Sequence, residues 1–211
     1  MAITYPVAMP TSGVTSISWS NMTSSLVSRS PFSFQGQAQS YGGAIRQATV
    51  SVDNLNRDTA EDWLGFLDSL NGTMGTFLFG DPSGVTPRGA ASGFPGVLTR
   101  ARVASQTGSS ILFNTNASQN NVTNWLVRGD WIQIGTGVNA RLYKVTQNVS
   151  TNASGQGTLE VWPSLRISPT LNQQLIVFNT VGLFRRSSGS YNYVEDNGCK
   201  YGLSFDIEEV I

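Results

Sequence analysis

The chain has 211 residues, of which 39% are hydrophobic and 10% aromatic, and this composition excludes an intrinsically disordered protein. Charged side chains make up only 12% of the residues, and thirteen basic groups balance thirteen acidic ones. A formal net charge of zero removes any overall electrostatic attraction for nucleic acid or an anionic membrane, and the lack of self-repulsion favours association.

The first part of the chain alternates short apolar runs with Ser, Gly and Pro, a pattern typical of strands and turns. We predict strands at residues 14–19, 32–34 and 44–52. In the last of these, Ala48, Val50 and Val52 share one face, as expected of a half-buried strand.

An amphipathic helix follows directly, at about residues 59–70. Asp58 has the chemistry of an N-cap, and Glu61 lies three residues further on, at the capping-box spacing. An apolar stripe at helical spacing is expected to pack on an open sheet face, and its members are Trp63, Leu64, Leu67 and Leu70. After Asn71-Gly72, residues 76–79 read as a strand.

Residues 85–180 are richer in Gly, Ser and Asn and contain their own series of predicted strands, at residues 97–103, 111–114, 125–127, 131–134, 142–145, 158–162 and 175–178. The period of two at residues 200–210 predicts a further strand that pairs with the N-terminal strands. The predicted fold is mainly β: a discontinuous β-sandwich or barrel domain with one helix (residues 1–84 and 181–211), interrupted by a small inserted β-barrel or sandwich (residues 85–180).

The absence of histidine excludes His-dependent hydrolytic triads and His-containing zinc sites. The single cysteine, Cys199, cannot form a disulfide within the chain and is interpreted as a small buried hydrophobe. Paired acids such as Glu61 and Asp62 are explained by helix-start electrostatics. We therefore expect no enzymatic activity, no cofactor and no metal. Glycan stacking remains an alternative, on Trp125, Trp131 or Trp162.

A pattern of aromatics, glycines and turns resembles a tailed-phage minor tail protein of the distal tail type. It comprises Trp63, Phe66, Leu67, Leu70, Gly72, Gly75, Phe77, the turn Gly80-Asp81-Pro82, and the blocks at residues 129–134, 141–145 and 157–166. The resemblance implies a virion structural protein that forms a ring, commonly a hexamer, at the distal end of the tail tube. The implied partners are further copies of the chain, the tail tube protein, and the hub with its receptor-binding apparatus.

The resemblance also suggests a mobile hairpin that contacts the tube, and the interface candidates there are Phe184, Arg185, Arg186, Tyr191 and Tyr193. We expect no direct nucleic-acid binding and no membrane insertion. The first ten residues lack the features of a secretory signal, which favours synthesis in the host cytoplasm and a final location in the virion. Two alternatives stay open: a carbohydrate-binding β module, and a tail tube subunit.

Overall fold

The computed structural model of the chain describes residues 3–115, 119–196, 198 and 200–211. This part of the chain is mainly β and contains one α-helix, as predicted, and its strands form two sheets, one of which is a closed barrel. In chain order the elements are β1 (Val14–Arg29), β2 (Gly36–Leu55), α1 (Arg57–Ser69), β3 (Thr76–Phe79), β4 (Thr99–Ala101), β5 (Ser110–Asn114), β6 (Trp131–Ile134), β7 (Arg141–Val145), β8 (Gln156–Trp162), β9 (Gln174–Ile176), β10 (Gly182–Arg186), β11 (Asn192–Glu195) and β12 (Tyr201–Glu209).

The chain divides into two compact units. A sheet unit contains Pro10–Thr73, Arg186–Glu209 and Ile211, and a barrel unit contains Met1–Met9, Met74–Arg185 and Val210. Each unit is assembled from segments that are distant in sequence. The domain boundaries predicted from the sequence stay a prediction. Cys199 lies outside the described residues.

In the sheet unit, β2 pairs antiparallel with β1 on one side and with β12 on the other. The second pairing confirms the prediction that the strand at residues 200–210 returns to the N-terminal strands. Alternate residues of β2 and β12 turn a buried apolar face towards α1, where the rings of Trp63 and Phe205 lie 5.9 Å apart. The indole Nε1 of Trp63 donates to the carbonyl oxygen of Ser12 at 2.9 Å, so the buried ring keeps its polar group bonded.

The N-terminal cap of α1 differs from the prediction. The helix begins at Arg57, and the cap is Asn56, whose extended backbone (φ −77°, ψ 166°) lets its side chain accept from the backbone N–H of Thr59 at 3.0 Å. Asp58 lies in the first turn, where its negative charge interacts favourably with the positive end of the helix dipole. An Asn two residues earlier provides the same acceptor chemistry as Asp58, and only the backbone conformation distinguishes the two candidates.

In the barrel unit, six antiparallel strands close in the order β4-β5-β8-β7-β6-β9 around an apolar core. The hairpin between β6 and β7 turns at Gly135, which has φ +79°, and a Cβ there would lie 2.3 Å from the carbonyl oxygen of Asn139. A side chain at this position is therefore excluded. Outside the barrel but within the same unit, β3 pairs antiparallel with β10, and the rings of Phe79 and Phe184 meet edge to face at 5.6 Å.

Two short predicted strands are wrong. Residues 32–34 form the turn between β1 and β2, because Phe34 adopts φ 55° and its N–H bonds back to the carbonyl oxygen of Ser30 at 3.0 Å. Residues 125–127 make only an isolated bridge, between Leu126 and Val149. Both apolar runs resemble strands in sequence, but residues 32–34 form an exposed turn and residues 125–126 pack into the core.

Candidate assembly surface

The longest feature of the sheet unit is the outer part of the β1–β2 hairpin, residues 21–45, which we call the arm. The partner strand β12 covers β2 only from Gln47 to Leu55. Beyond that point β1 and β2 pair with each other as far as Arg29 and Gly36. At about 3.3 Å per residue, the arm extends roughly 30 Å as a two-stranded ribbon.

The arm exposes large apolar side chains along its length. Phe32 and Phe34, at the tip, are 95% and 74% exposed. More than half of each of four further side chains is also exposed, and these are Met22, Leu26, Val27 and Tyr41. Of the eighteen large hydrophobic side chains that are exposed among the described residues, six therefore lie on this one narrow element, and exposed hydrophobes grouped in this way are typical of interaction sites.

The backbone of the arm tip is hydrogen-bonded rather than frayed. The N–H of Ser30 donates to the carbonyl oxygen of Gln35 at 2.9 Å, and the Ser30 hydroxyl oxygen accepts from the N–H groups of Phe32 and Ser33 at 3.3 Å each. These bonds fix the turn and leave the two Phe rings pointing away from it into solvent. The tip therefore presents apolar area without the entropy cost of ordering a loose loop.

The arm is almost uncharged. Within residues 21–45 the only charged residue is Arg29. Arg46, just inside the base, is fully buried, and its Nε donates to the side-chain oxygen of Asn21 at 3.4 Å. An exposed β-ribbon with a single charge, near its tip, lacks most of the usual protection of strand edges against pairing with other chains.

The interface candidates named from the sequence lie in different environments. Phe184 is fully buried against Phe79, so it is a core residue of its own chain and cannot also be an exposed contact. Arg186 is buried as well, at 2% exposure, whereas Arg185 is exposed. Tyr193 on β11 is 53% exposed and remains accessible to a partner.

Arg186, Tyr191 and Asp68 form a network inside the sheet unit. The Arg186 guanidinium lies 4.9 Å from the centroid of the Tyr191 ring, and the Tyr191 hydroxyl donates to Asp68 at 2.7 Å. Desolvation lowers the pKa of Arg186, while desolvation and the bond to Asp68 raise the pKa of Tyr191 to about 12. One buried nitrogen of Arg186, Nη2, has no hydrogen-bond partner. This network ties the segment after β10 to the end of α1.

The predicted helix-packing residues divide in a similar way. Trp63, Leu67 and Leu70 are fully buried, but Leu64 is only half-buried, and Phe66 is buried although it was not among the packing residues named for the helix. The Trp63 and Phe66 rings meet edge to face at 6.0 Å. The apolar stripe is thus rotated slightly towards Phe66.

The three tryptophans considered for glycan stacking offer little open ring surface. Trp125 is fully buried in the barrel core, with Phe94 stacked at 6.0 Å. Trp131 is 5% exposed, and Lys144 covers one ring face at 4.5 Å from the centroid. Only Trp162 is partly exposed. Stacking on a sugar requires a free ring face, so this geometry does not favour a three-tryptophan platform.

Within the described residues, no group of three or more Cys, Asp or Glu side chains is placed to hold a metal ion. The one described α-helix is too short and too polar to cross a membrane. No protein-family model and no curated protein matches the chain.

Sequence reasoning missed the arm because its apolar residues are separated by Ser, Thr and Gln rather than forming a run. The available signal was compositional. Residues 21–45 carry one charge in a stretch that must be solvent-exposed if it extends beyond its neighbouring strands. A long uncharged segment with scattered large hydrophobes indicates an interface as readily as a core.

Proposed function

We propose that this chain is a non-enzymatic structural subunit that assembles with copies of itself through the arm, as a ring at the distal end of a phage tail. In this role it joins the tail tube to the hub and receptor-binding apparatus. The observation that supports self-assembly is the exposed arm, which has one charge and six exposed large hydrophobic side chains.

The energetics of the arm support a bound state. A two-stranded ribbon alone in water is at best marginally stable. Complete burial of one Phe contributes about 1.5–3 kcal/mol, so the pair at the tip offers roughly 3–6 kcal/mol on docking. That gain exceeds what surface ion pairs commonly contribute.

The position of β1 supports closure into a ring. It is the terminal strand of its sheet, and from Val14 to Ser28 it contains neither a charge nor a proline. An unprotected edge of this kind either pairs with another chain or promotes aggregation. In a ring with rotational symmetry, the exposed edge of every subunit is paired with its neighbour. A contact whose rotation does not close would instead add subunits without limit and form a filament.

The phage tail context rests on the resemblance described above, carried by the aromatic and glycine pattern from Trp63 to Pro82 and by the three later blocks. The zero net charge agrees with a ring through which DNA passes without being bound. Copies of the chain, the tail tube protein and the hub protein are the proposed partners, and the virion is the proposed location.

The first experiment is mass photometry of the purified chain with negative-stain electron microscopy. We expect a discrete species near six times the chain mass of 22.7 kDa, and ring-shaped particles with a central channel. A monomer at every concentration would refute the proposal. Long stacked tubes would instead favour the tail tube subunit, and tryptophan fluorescence changes on a sugar panel would favour the carbohydrate module.

A matched pair of variants tests the role of the arm. The double substitution Phe32→Ser and Phe34→Ser removes the exposed tip rings and should shift the population towards monomer by at least about 100-fold in the association constant. The control is Met74→Ser with Leu171→Ser, which removes two side chains that are 78% and 61% exposed outside the arm. An oligomer that survives loss of the tip rings, or that dissociates equally in the control, would contradict the proposed contact.

A further inference from the structure

A small polar cleft lies on the barrel unit, beside the start of β6, and it does not depend on the proposed function. Its volume is about 130 Å³. Groups of opposite charge and two hydroxyl side chains line it, and its lining includes Asp81, Thr86, Arg88, Asp130, Trp131 and Lys144.

Both carboxylates of the cleft already have intramolecular donors. Asp130, 3% exposed, accepts from the backbone N–H groups of Arg88 at 3.0 Å, Gly89 at 3.3 Å and Val127 at 2.9 Å. Asp81 accepts from the N–H and hydroxyl of Ser83 at 2.9 and 2.6 Å, and from the indole N–H of Trp131 at 3.1 Å. These acids fix the walls of the cleft and have little capacity left for a ligand.

The cations, in contrast, retain open donors. The Lys144 ammonium stacks on the Trp131 ring at 4.5 Å, and it has no hydrogen-bond acceptor or carboxylate partner among the described residues. Arg88, whose side chain is 68% exposed, uses Nε towards Asp130 at 3.5 Å and Nη2 towards the carbonyl oxygen of Arg128. Its Nη1 and the Thr86 hydroxyl stay available. The unused hydrogen-bonding capacity of the cleft is therefore donor capacity.

An incoming group must supply acceptors and one negative charge. Arg88 is already paired with Asp130, so Lys144 is the cation left without a carboxylate partner and a single negative charge suits it, whereas a dianion such as phosphate would meet stronger repulsion from the two adjacent carboxylates. The volume is below the roughly 300–1,000 Å³ typical of small-molecule sites, but it is sufficient for the end of one side chain. We propose that this cleft is a socket for the carboxylate of an Asp or Glu side chain from a partner protein, held by Lys144 and Arg88.

The test uses the two lysines of the chain, Lys144 and Lys200, as internal reporter and control. The wild-type chain is acetylated with a limiting activated ester, and mass spectrometry follows both sites with and without N-acetylglutamate methylamide. We expect this probe to slow acetylation of Lys144 with half-saturation on the order of 1–10 mM and to leave Lys200 unchanged. The isosteric N-acetylglutamine methylamide should have no effect.

An independent measurement follows the ¹⁹F NMR signal of 5-fluorotryptophan at Trp131. The acidic probe should shift this signal in wild type and in Lys200→Met, and the shift should be lost in Lys144→Met. The labelling is repeated on the Phe32→Ser, Phe34→Ser variant to identify the source of the carboxylate. Protection that is present in the oligomer and lost on disassembly means that a neighbouring copy supplies the carboxylate, whereas protection only by added probe means that no neighbouring copy does.

The socket is refuted if Lys144 reacts identically with and without the acidic probe in both the assembled and the dissociated chain. Equal protection by the glutamine probe would refute it as well, because the cleft would then recognise an amide. Neither result bears on whether the chain forms a ring.

Discussion

Replacing Asp130 with Asn tests whether one buried carboxylate organises the segment before β6. In wild type, one carboxylate oxygen accepts from the N–H of Arg88, and the other accepts from the N–H groups of Gly89 and Val127. An Asn side chain has only one acceptor oxygen. Whichever way it is oriented, its NH₂ group faces at least one backbone N–H that it cannot accept from.

The expected loss follows from these bonds. In the better orientation of Asn, two N–H groups keep a neutral acceptor and the third is left without one. A hydrogen bond to a charged group contributes about 1.5–3 kcal/mol and a neutral bond about 0.5–1.5 kcal/mol. One lost bond and two weakened bonds together lower the free energy of unfolding of this segment by roughly 3–5 kcal/mol.

Amide hydrogen exchange measured by mass spectrometry is the appropriate assay, because it reports on the affected N–H groups themselves. We expect peptides containing residues 88, 89 and 127 to exchange at least about 100-fold faster in Asp130→Asn. The matched control is Asp62→Asn, on the exposed side of α1, which should leave these peptides unchanged. An Asp130→Asn chain with exchange within about threefold of wild type would refute the reasoning.

Three further predictions concern a cap, a close contact and a titrating phenol. Asn56→Ala removes the acceptor for the Thr59 N–H and should lower the free energy of unfolding, measured by urea denaturation, by about 1 kcal/mol. The nearby Asp58→Ala should cause a smaller loss, and equal losses in the two variants would contradict Asn56 as the cap. Gly89→Ala places a Cβ 2.5 Å from a backbone carbonyl oxygen and should lower the melting temperature by several degrees, whereas Gly93→Ala, with nothing within 4 Å, should not. Tyr191, with its pKa raised to about 12 from an ordinary value near 10, should add stability that is complete below pH 10 and lost between about pH 10 and 12. Urea denaturation should show that this loss is absent from the Tyr191→Phe chain, and an identical alkaline profile in both chains would contradict it.

The sequence predicts the regular part of the fold well where side-chain period and burial agree. The alternation at Leu203, Phe205 and Ile207 predicts both the strand and its buried face, because one side of β12 packs under the helix and the other side faces solvent. The glycine turn at residues 135–139 similarly predicts the β6–β7 hairpin. Local chemistry is sufficient in these places, since the turn or the pleat is decided by neighbouring residues.

Prediction from sequence fails where contacts between residues distant in sequence determine whether a side chain is buried or exposed. The apolar pattern alone does not distinguish Phe32 at an exposed tip from Phe113 in the barrel core, because each lies in a short apolar run that resembles a strand. The cleft is even less accessible to sequence reasoning. Trp131 and Lys144 are cross-strand partners in the β6–β7 hairpin, but Asp81 lies 50 residues before Trp131 and meets it only in the folded unit.

The pairing of β12 with β2 has a consequence for biosynthesis. Thr49 and Asp206, joined across the sheet by a 2.6 Å hydrogen bond, are 157 residues apart in sequence. While the ribosome is still translating the intervening barrel, the apolar face of α1 has no Phe205 to lie against, and the arm emerges beside an unfinished sheet. Nascent chains of this protein should therefore be chaperone clients until Phe205 has emerged from the ribosome, and messages truncated before the Phe205 codon should yield inclusion bodies rather than partial subunits.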